Sequence, residues 1–297
     1  MIKYGTPLRY PGGKQKLAPF ISEIIHANNL VGCEYAEPYA GGAGVAVNLL
    51  LNGTVSRVHL NDVSPPIYAF WKSILNKSDD FCRKIASVSL TVEEWRRQRE
   101  ILARHSEFSQ FEVGFSLFYL NRCNRSGIPS GGLIGGLSQI GDWLMDARFP
   151  RAELIRRVET IAAKKKSILV KKQNAEVFVK EYLPTISRNA LIYCDPPYFR
   201  KADRLYLNYY NPEDHKRVAN VIQKHIRHHW IVSYDGAPEI LRHYRERRHF
   251  LYDLQYNAHK AYKGKEVFFF SDKLILPETS AIDPIAAGIK LTASWKE

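Results

Sequence analysis

Ala190-Leu191-Ile192-Tyr193-Cys194-Asp195-Pro196-Pro197-Tyr198 is the stretch on which the fold turns. Five largely apolar residues run without alternation and stop at a carboxylate followed by two prolines. A short apolar run bounded this way reads as a strand buried on both faces. Such strands belong to mostly parallel sheets with helices packed on either side. Upstream, Cys33 to Tyr39, Arg57 to Asp62 and Ser167 to Lys172 read as further strands. Downstream, Trp230 to Tyr234, Phe250 to Tyr256 and Glu266 to Phe270 bring the count to seven. Helical patterns separate most of them: Val45 to Leu51 ahead of Gly53, a helix opened by Ser64-Pro65-Pro66, one over 212–227, and one started by Pro238. The last two strands lack a helix between them, so the segment from His259 to Gly264 is expected to join an antiparallel pair.

Between residues 71 and 164 the strand signal vanishes. Segments near 80–88, 91–105, 111–121 and 150–163 read as helices. The loop over 127–141 carries Gly127, Gly131, Gly132, Gly135, Gly136 and Gly141, six of the chain's 18 glycines. A loop that long inside a compact chain is more often functional than a plain connector. The expected architecture is therefore α/β, a doubly wound, mostly parallel seven-stranded Rossmann-like sheet, interrupted by a helical insertion. The parts are residues 1–70, the insertion 71–164, and residues 165–297. The tail from Pro277 to Glu297 carries no motif.

Composition limits the partners. Forty-three Lys and Arg stand against 30 Asp and Glu among 297 residues, a net charge of +13. That surplus suits a polyanionic partner, nucleic acid first, although solubility alone also accounts for it. Residues 71–164 hold 15 basic and 11 acidic side chains, so most of the excess lies outside the insertion. No apolar run is long enough to span a membrane, and the N-terminus lacks the apolar region of a secretory signal. Cys33, Cys82, Cys123 and Cys194 are scattered, with no CxxC pair, which fits a reducing cytoplasm and argues against a zinc ribbon. His225, His228 and His229 sit beside Lys224 and Arg227 with no carboxylate or cysteine to complete a set, so no metal site is expected.

Two motifs carry chemistry. Ala36-Glu37-Pro38-Tyr39-Ala40-Gly41-Gly42-Ala43-Gly44 closes the first strand. Glycines there let backbone approach a ligand, and Asp62 at the end of the second strand can accept from ribose hydroxyls. A tight turn without a ligand reads equally well from this motif alone, and the GxGxxG spacing is missing. Asp195-Pro196-Pro197-Tyr198 is more specific, because ligands of open α/β sheets bind beyond the carboxyl ends of the strands. Its prolines fix φ and set the Asp195 carboxylate and the Pro196 carbonyl side by side as acceptors. Such a pair can take both hydrogens of an exocyclic amino group, and Tyr198 offers a face for a base to stack on.

In the order of these motifs the chain resembles the Dam-like DNA adenine methyltransferases of the α group. Leu8 to Lys14 resembles the family's N-terminal cofactor motif, Ala36 to Gly44 its glycine-rich motif, Asp62 its ribose acid and Asp195 to Tyr198 its catalytic tetrapeptide. Asp214-His215, Ile231 to Asp235 and Lys263 to Glu266 fall where the family has further elements. The resemblance implies S-adenosylmethionine as cofactor, bound by Tyr10, Lys14, Glu37, Tyr39, Gly41, Asp62 and Asp195. It implies Asp195, Pro196, Pro197 and Tyr198 as catalytic, acting on a flipped-out adenine of double-stranded DNA. Several family members carry Trp where Tyr10 stands. A cytoplasmic monomer of bacterial, archaeal or phage origin is the corresponding expectation, with a restriction or defence component as an optional companion.

The insertion would then read DNA. Arg83, Lys84, Arg96, Arg97, Arg99 and Arg104 are candidate phosphate contacts or a solvated face laced with Glu93, Glu94, Glu100 and Glu107. Asn and Arg are the types that read adenine and guanine edges, which nominates Asn121, Arg122, Asn124 and Arg125 for DNA contact. After Phe118 to Arg122 the chain departs from the family's aromatic-Asn-Gly stretch, so the family's GATC site does not carry over. Methylation of the cytosine amino group or of RNA, and a non-catalytic DNA-binding protein with a degenerate cofactor site, are the alternatives.

Overall fold

Leu191 and Tyr193 join one buried cluster, while Ala190, Ile192 and Cys194 join the cluster on the opposite face of the same strand. That two-sided burial sets the layers: a central sheet between two helical layers. The computed structural model describes residues 5–9, 14–199, 210–256, 262–277 and 290–291.

The strands are β1 (Glu34–Glu37), β2 (Arg57–Asn61), β3 (Ile168–Lys171), β4 (Ala190–Cys194), β5 (His229–Asp235), β6 (His249–Tyr256), β7 (Tyr262–Phe270) and β8 (Lys290–Leu291). They lie in the order β3-β2-β1-β4-β5-β7-β6-β8. The first five are mutually parallel, with Tyr35 opposite Leu191 and Ile192 opposite Trp230. β7 runs antiparallel to both β5 and β6. The expected fold class is the one observed, with a two-residue eighth strand added on β6 from within the tail. The start of β7 at Tyr262 takes up residues assigned to the connection in the sequence.

The helices are α1 (Ala18–Ala27), α2 (Gly44–Leu51), α3 (Pro65–Asn76), α4 (Ser78–Ser87), α5 (Val92–Ala103), α6 (Gln110–Cys123), α7 (Arg151–Ala162), α8 (Pro212–His225) and α9 (Pro238–His243). Local chemistry sets several starts. Ser109 with Glu112, and Asn211 with Asp214, form capping boxes, and Pro212 stands at the first turn of α8. The sequence reading had no counterpart for α1, whose apolar residues Phe20, Ile21, Ile24 and Ile25 pack under the sheet.

Residue 71, the expected start of the helical insertion, lies inside α3. The helical segment has no core of its own. Phe70, Trp71, Phe81, Phe115, Phe118, Leu154 and Val158 belong to the cluster that also holds Tyr35, Leu60 and Leu191 of the sheet. Phe70 stacks on Phe118 at 6.3 Å between ring centroids, and Phe81 meets Phe118 edge-on at 5.3 Å.

α3 and α6 cross closely at Gly114. A Cβ there would lie 2.6 Å from the Ala69 carbonyl oxygen and 2.8 Å from the Phe70 nitrogen. Backbone cannot yield as a side-chain tip can. Gly114→Ala is expected to destabilise the protein by about 1–3 kcal/mol through overpacking, despite the better helix propensity of Ala. A lowered urea midpoint with an unchanged slope would show it.

Candidate active site

β1 and β4 are the neighbours at which the sheet order reverses, and ligands of such sheets bind beyond the carboxyl ends of strands at that point. A cavity of about 410 Å³ opens there. Its lining includes Lys14, Glu37, Tyr39, Gly41, Asp62 and Asp195. These come from the N-terminal strap, the end of β1, the turn into α2, the residue after β2 and the residue after β4. All the expected cofactor residues except Tyr10 thus meet in one cavity, and Tyr10 lies outside the described residues.

The glycine turn is fixed from two sides. The Gly41 amide donates to Asp62 Oδ2 at 2.9 Å, and its carbonyl accepts from Trp71 Nε1 at 2.9 Å. Gly41 holds a φ of +46°, where glycine carries no steric penalty. The Ser64 amide donates to the other Asp62 oxygen at 2.9 Å. Glu37 is buried, with Oε1 accepting from the Ala46 amide of α2 at 3.1 Å. Burial pushes the Glu37 carboxyl up to about 8, with the Ala46 amide opposing and the Asp195 charge adding to the rise. Burial also raises Asp62, against its two backbone amides.

Asp195 is held by one oxygen. Ser233 Oγ donates to Oδ1 at 2.7 Å, and Lys14 Nζ lies 3.2 Å from the same atom. Among the described residues no hydrogen bond reaches Oδ2. Burial raises the Asp195 pKa, and Lys14 and the Ser233 hydroxyl oppose the rise. Lys14 Nζ also donates to Glu266 Oε2 at 2.6 Å. Burial works against the Lys14 ammonium, but Asp195 and Glu266 outweigh it and hold its pKa above the ordinary value. Glu266 goes the other way. Burial disfavours its charge, yet Lys14 and the hydroxyls of Tyr198 and Tyr252 bring its pKa below normal.

The sequence reading gave Glu266 no role, although the residue is 1% exposed and collects the Lys14 ammonium and both tyrosine hydroxyls. An acid heading the apolar run Val267 to Phe270 was the available signal, since a carboxylate in a buried strand needs a partner. Ser233 was likewise quoted without a role. Its hydroxyl links Asp195 to Tyr193 at 2.7 Å.

Tyr198 has a partner that the sequence reading did not give it. It is buried, its hydroxyl donates to Glu266 at 2.6 Å, and Lys14 Nζ lies 5.2 Å from its ring centroid. Through that hydroxyl it is tied to Glu266 on β7. Pro197 lines the cavity, and Pro196 is buried behind it.

Two of the expected DNA contacts are corrected. Asn121 Oδ1 accepts from the Arg9 amide at 2.7 Å, while its Nδ2 donates to the carbonyls of Arg9 and Gly127 at 2.5 and 2.7 Å. Asn124 Nδ2 donates to the Ile128 and Pro129 carbonyls, and its Oδ1 accepts from Trp95 Nε1 at 2.7 Å. Both amides are consumed in shaping the loop whose residues Gly127, Ile128 and Pro129 form one wall of the cavity. Arg122 is buried, and Arg125 is exposed. Of the candidate phosphate contacts, Arg83, Arg97 and Arg104 pair with acids on or beside their own helix, as a solvated face does.

The chain belongs to the D12 class N6 adenine-specific DNA methyltransferases, whose family model matches residues 10–263. It is an S-adenosylmethionine-dependent methyltransferase with DNA as substrate. Among solved structures it is similar to the rRNA methyltransferase aviRa from Streptomyces viridochromogenes. Identity is 11% over 85% of this chain and 84% of that one, with a TM-score of 0.33. Protein LPL1258 from Legionella pneumophila str. Philadelphia 1 is similar at 11% identity over 92% and 90% of the two chains, with a TM-score of 0.37. No curated protein matches. Among the described residues no helix is long and apolar enough to cross a membrane, and no group of His, Cys, Asp and Glu is arranged to hold a metal.

Two expectations test this geometry. The unfolded chain releases the Glu37 proton near the ordinary 4.5, and the folded chain keeps it to about 8. Between those values the folded state binds more protons, so this group lowers stability as pH rises and adds nothing further above about 8. Glu37→Gln should therefore gain on the wild type across that window, by on the order of a few kcal/mol, in urea melts at successive pH. Asn121→Ala strands a buried amide and two carbonyls, at about 1–3 kcal/mol for each orphaned group. Thermal melts should report the loss, while the DNA sequence methylated stays the same.

Proposed function

We propose that the chain methylates the exocyclic amino group of an adenine flipped out of double-stranded DNA, at a defined sequence, with Asp195 and the Pro196 carbonyl as the acceptors that orient that nitrogen. The observation that carries this reading is the asymmetry of Asp195. Oδ1 is fixed by Ser233 and Lys14, and Oδ2 faces no hydrogen-bond partner among the described residues. A carboxylate so held keeps one oxygen for an amino hydrogen. The adenine amino lone pair is delocalised into the ring. Accepting both N–H bonds favours a pyramidal nitrogen with a localised pair. Orientation of this kind can supply roughly 7–11 kcal/mol of a barrier.

The cavity suits a cationic cofactor. Glu37, Asp62 and Asp195 line it, burial disfavours the charge on all three, and Lys14, the one basic lining residue among those described, is already held by Asp195 and Glu266. S-adenosylmethionine carries an ammonium and a sulfonium, and when bound it supplies an electrophilic methyl group. Asp62, pinned by two amides, is oriented to accept from ribose hydroxyls. Glu37 is set to meet positive charge. Glu266 positions Lys14 and Tyr198 without touching the base.

An amino group inside a stacked duplex cannot reach Asp195 within this cavity, which is the reason to include base flipping, at a cost of a few kcal/mol. Asp195→Ala should abolish methyl transfer while its thermal melt stays cooperative. Nucleoside mass spectrometry after reaction with duplex DNA should find N6-methyladenine with the wild type and none with the variant. Methylcytosine, or product only from RNA, would replace this reading by one of its alternatives, and an active variant would remove Asp195 from the chemistry.

A further inference from the structure

Glu266 stands inside β7, with Asp235 of β5 opposite it on one side and Tyr252 of β6 on the other. Ladders on both sides fix its backbone. Its side chain is fixed as well: the Tyr198 hydroxyl donates to Oε1 at 2.6 Å and the Tyr252 hydroxyl to Oε2 at 2.5 Å. Glu266 is not among the residues that line the cavity. A carboxylate buried away from the reacting groups carries a desolvation cost, so its use lies in what it holds.

What it holds is Lys14. The ammonium lies 2.6 Å from Glu266 Oε2, 3.2 Å from Asp195 Oδ1 and 3.4 Å from Ser233 Oγ. An ammonium has three hydrogens, and these three acceptors account for them. Ser233 gives its own hydrogen to Asp195 Oδ1, so the Tyr193 hydroxyl donates to Ser233 at 2.7 Å. The closest of the three contacts is with the acid that takes no part in the chemistry. Lysine carries its charge on a flexible stem and follows the strongest field. Were Glu266 neutral, Asp195 would be the sole counterion, and the ammonium would close onto both of its oxygens.

We infer that Glu266 is a positioning residue for methyl transfer: its charge draws the Lys14 ammonium away from Asp195, so that Asp195 Oδ2 stays open for a hydrogen of the adenine amino group. The inference rests on the role proposed above for Asp195. It also bears on pH. A protonated Oδ2 donates where it must accept, so activity is lost as pH falls through the Asp195 pKa. Burial and the Glu266 charge raise that pKa, and Lys14 and the Ser233 hydroxyl lower it. Glu37 and Tyr193 face the same carboxylate and feel its charge. Neutralising Glu266 removes a charge that raises the Asp195 pKa and tightens the contact that lowers it. Both changes move the acid limb of activity to lower pH.

The test compares the wild type with Glu266→Gln, which keeps shape and removes charge, and Glu266→Asp, which keeps charge and sets it back by one methylene. kcat is measured across pH with S-adenosylmethionine and duplex DNA both saturating, so that the limb reports the bound enzyme. In E266Q the plateau of kcat should fall roughly tenfold to a hundredfold, as misplacement of a reacting group does. Its acid limb should move down by about one pH unit or more. KM for cofactor and for duplex should stay near the wild-type values, because Glu266 touches neither. E266D should keep the acid limb near its wild-type position and recover part of the lost plateau.

A packing role ranks the variants the other way, since Gln fills the space and Asp leaves a gap. An acid limb in E266Q that stays in place or moves up overturns the inference, whatever the plateau, and so does a wild-type plateau. Should E266Q not fold, E266D carries the test: its plateau must fall with KM unchanged, and a wild-type plateau overturns the inference. In each of these cases an inactive Asp195→Ala leaves the proposed function standing. An active Asp195→Ala strikes at that function instead, whatever Glu266 does.

Discussion

The ammonium of Lys14 ties the site together. It lies 2.6 Å from Glu266 on β7 and 3.2 Å from Asp195 after β4, and so joins three parts of the chain that are remote in sequence. Ion pairs buried to this degree contribute little net stability, yet removing one partner strands the other at about 3–5 kcal/mol. The arrangement therefore specifies geometry more than it stabilises the fold. Without Lys14, Asp195 and Glu266 would face each other as unscreened carboxylates, and Tyr198 and Tyr252 would remain hydrogen-bonded to an acid with no counterion. The serine and tyrosine hydroxyls around this centre satisfy the remaining acceptors. Among the described residues one carboxylate oxygen is left over, at the place where chemistry is expected.

A second constraint works through backbone. Asn121 holds the strap to the loop at Gly127, and that loop closes the cavity on the helical side. Gly127 has a φ of +74°, and a Cβ there would sit 2.6 Å from the Arg9 carbonyl oxygen. The strap and the loop are therefore in direct backbone contact, and only glycine fits between them. The residues expected to meet the cofactor on one wall and the helical segment on the other are thus positioned by the same few hydrogen bonds.

The parts of this design that were legible in the sequence are the local ones. The apolar run into Asp195 announced a two-sided strand because periodicity and proline placement act within a few residues. Asp62 and the glycine turn were legible for the same reason. Asn121 and Asn124 were misread because residue type does not say whether an amide faces a base or a neighbouring carbonyl. The partner of the Tyr198 hydroxyl was not legible because that carboxylate lies 68 residues on. Glu266 could be noticed as an acid in an apolar strand, but its partner Lys14 is 252 residues away, and only the sheet order brings them together. α1 escaped because no cap or glycine marks its ends strongly.

The shared core bears on how such a protein can change over evolutionary time. Phe70 of α3 stacks on Phe118 of α6, and both belong to the cluster that reaches the sheet through Tyr35 and Leu60. A crossover that replaced the helical segment wholesale would cut through this cluster and leave ill-matched aromatic surfaces on either side. Changes in the solvent-facing loop, around the exposed Leu137, Ile140 and Trp143, leave that cluster untouched. Those exposed side chains can vary without disturbing the packing beneath them, so the molecule separates what is free to diversify from what must be inherited intact.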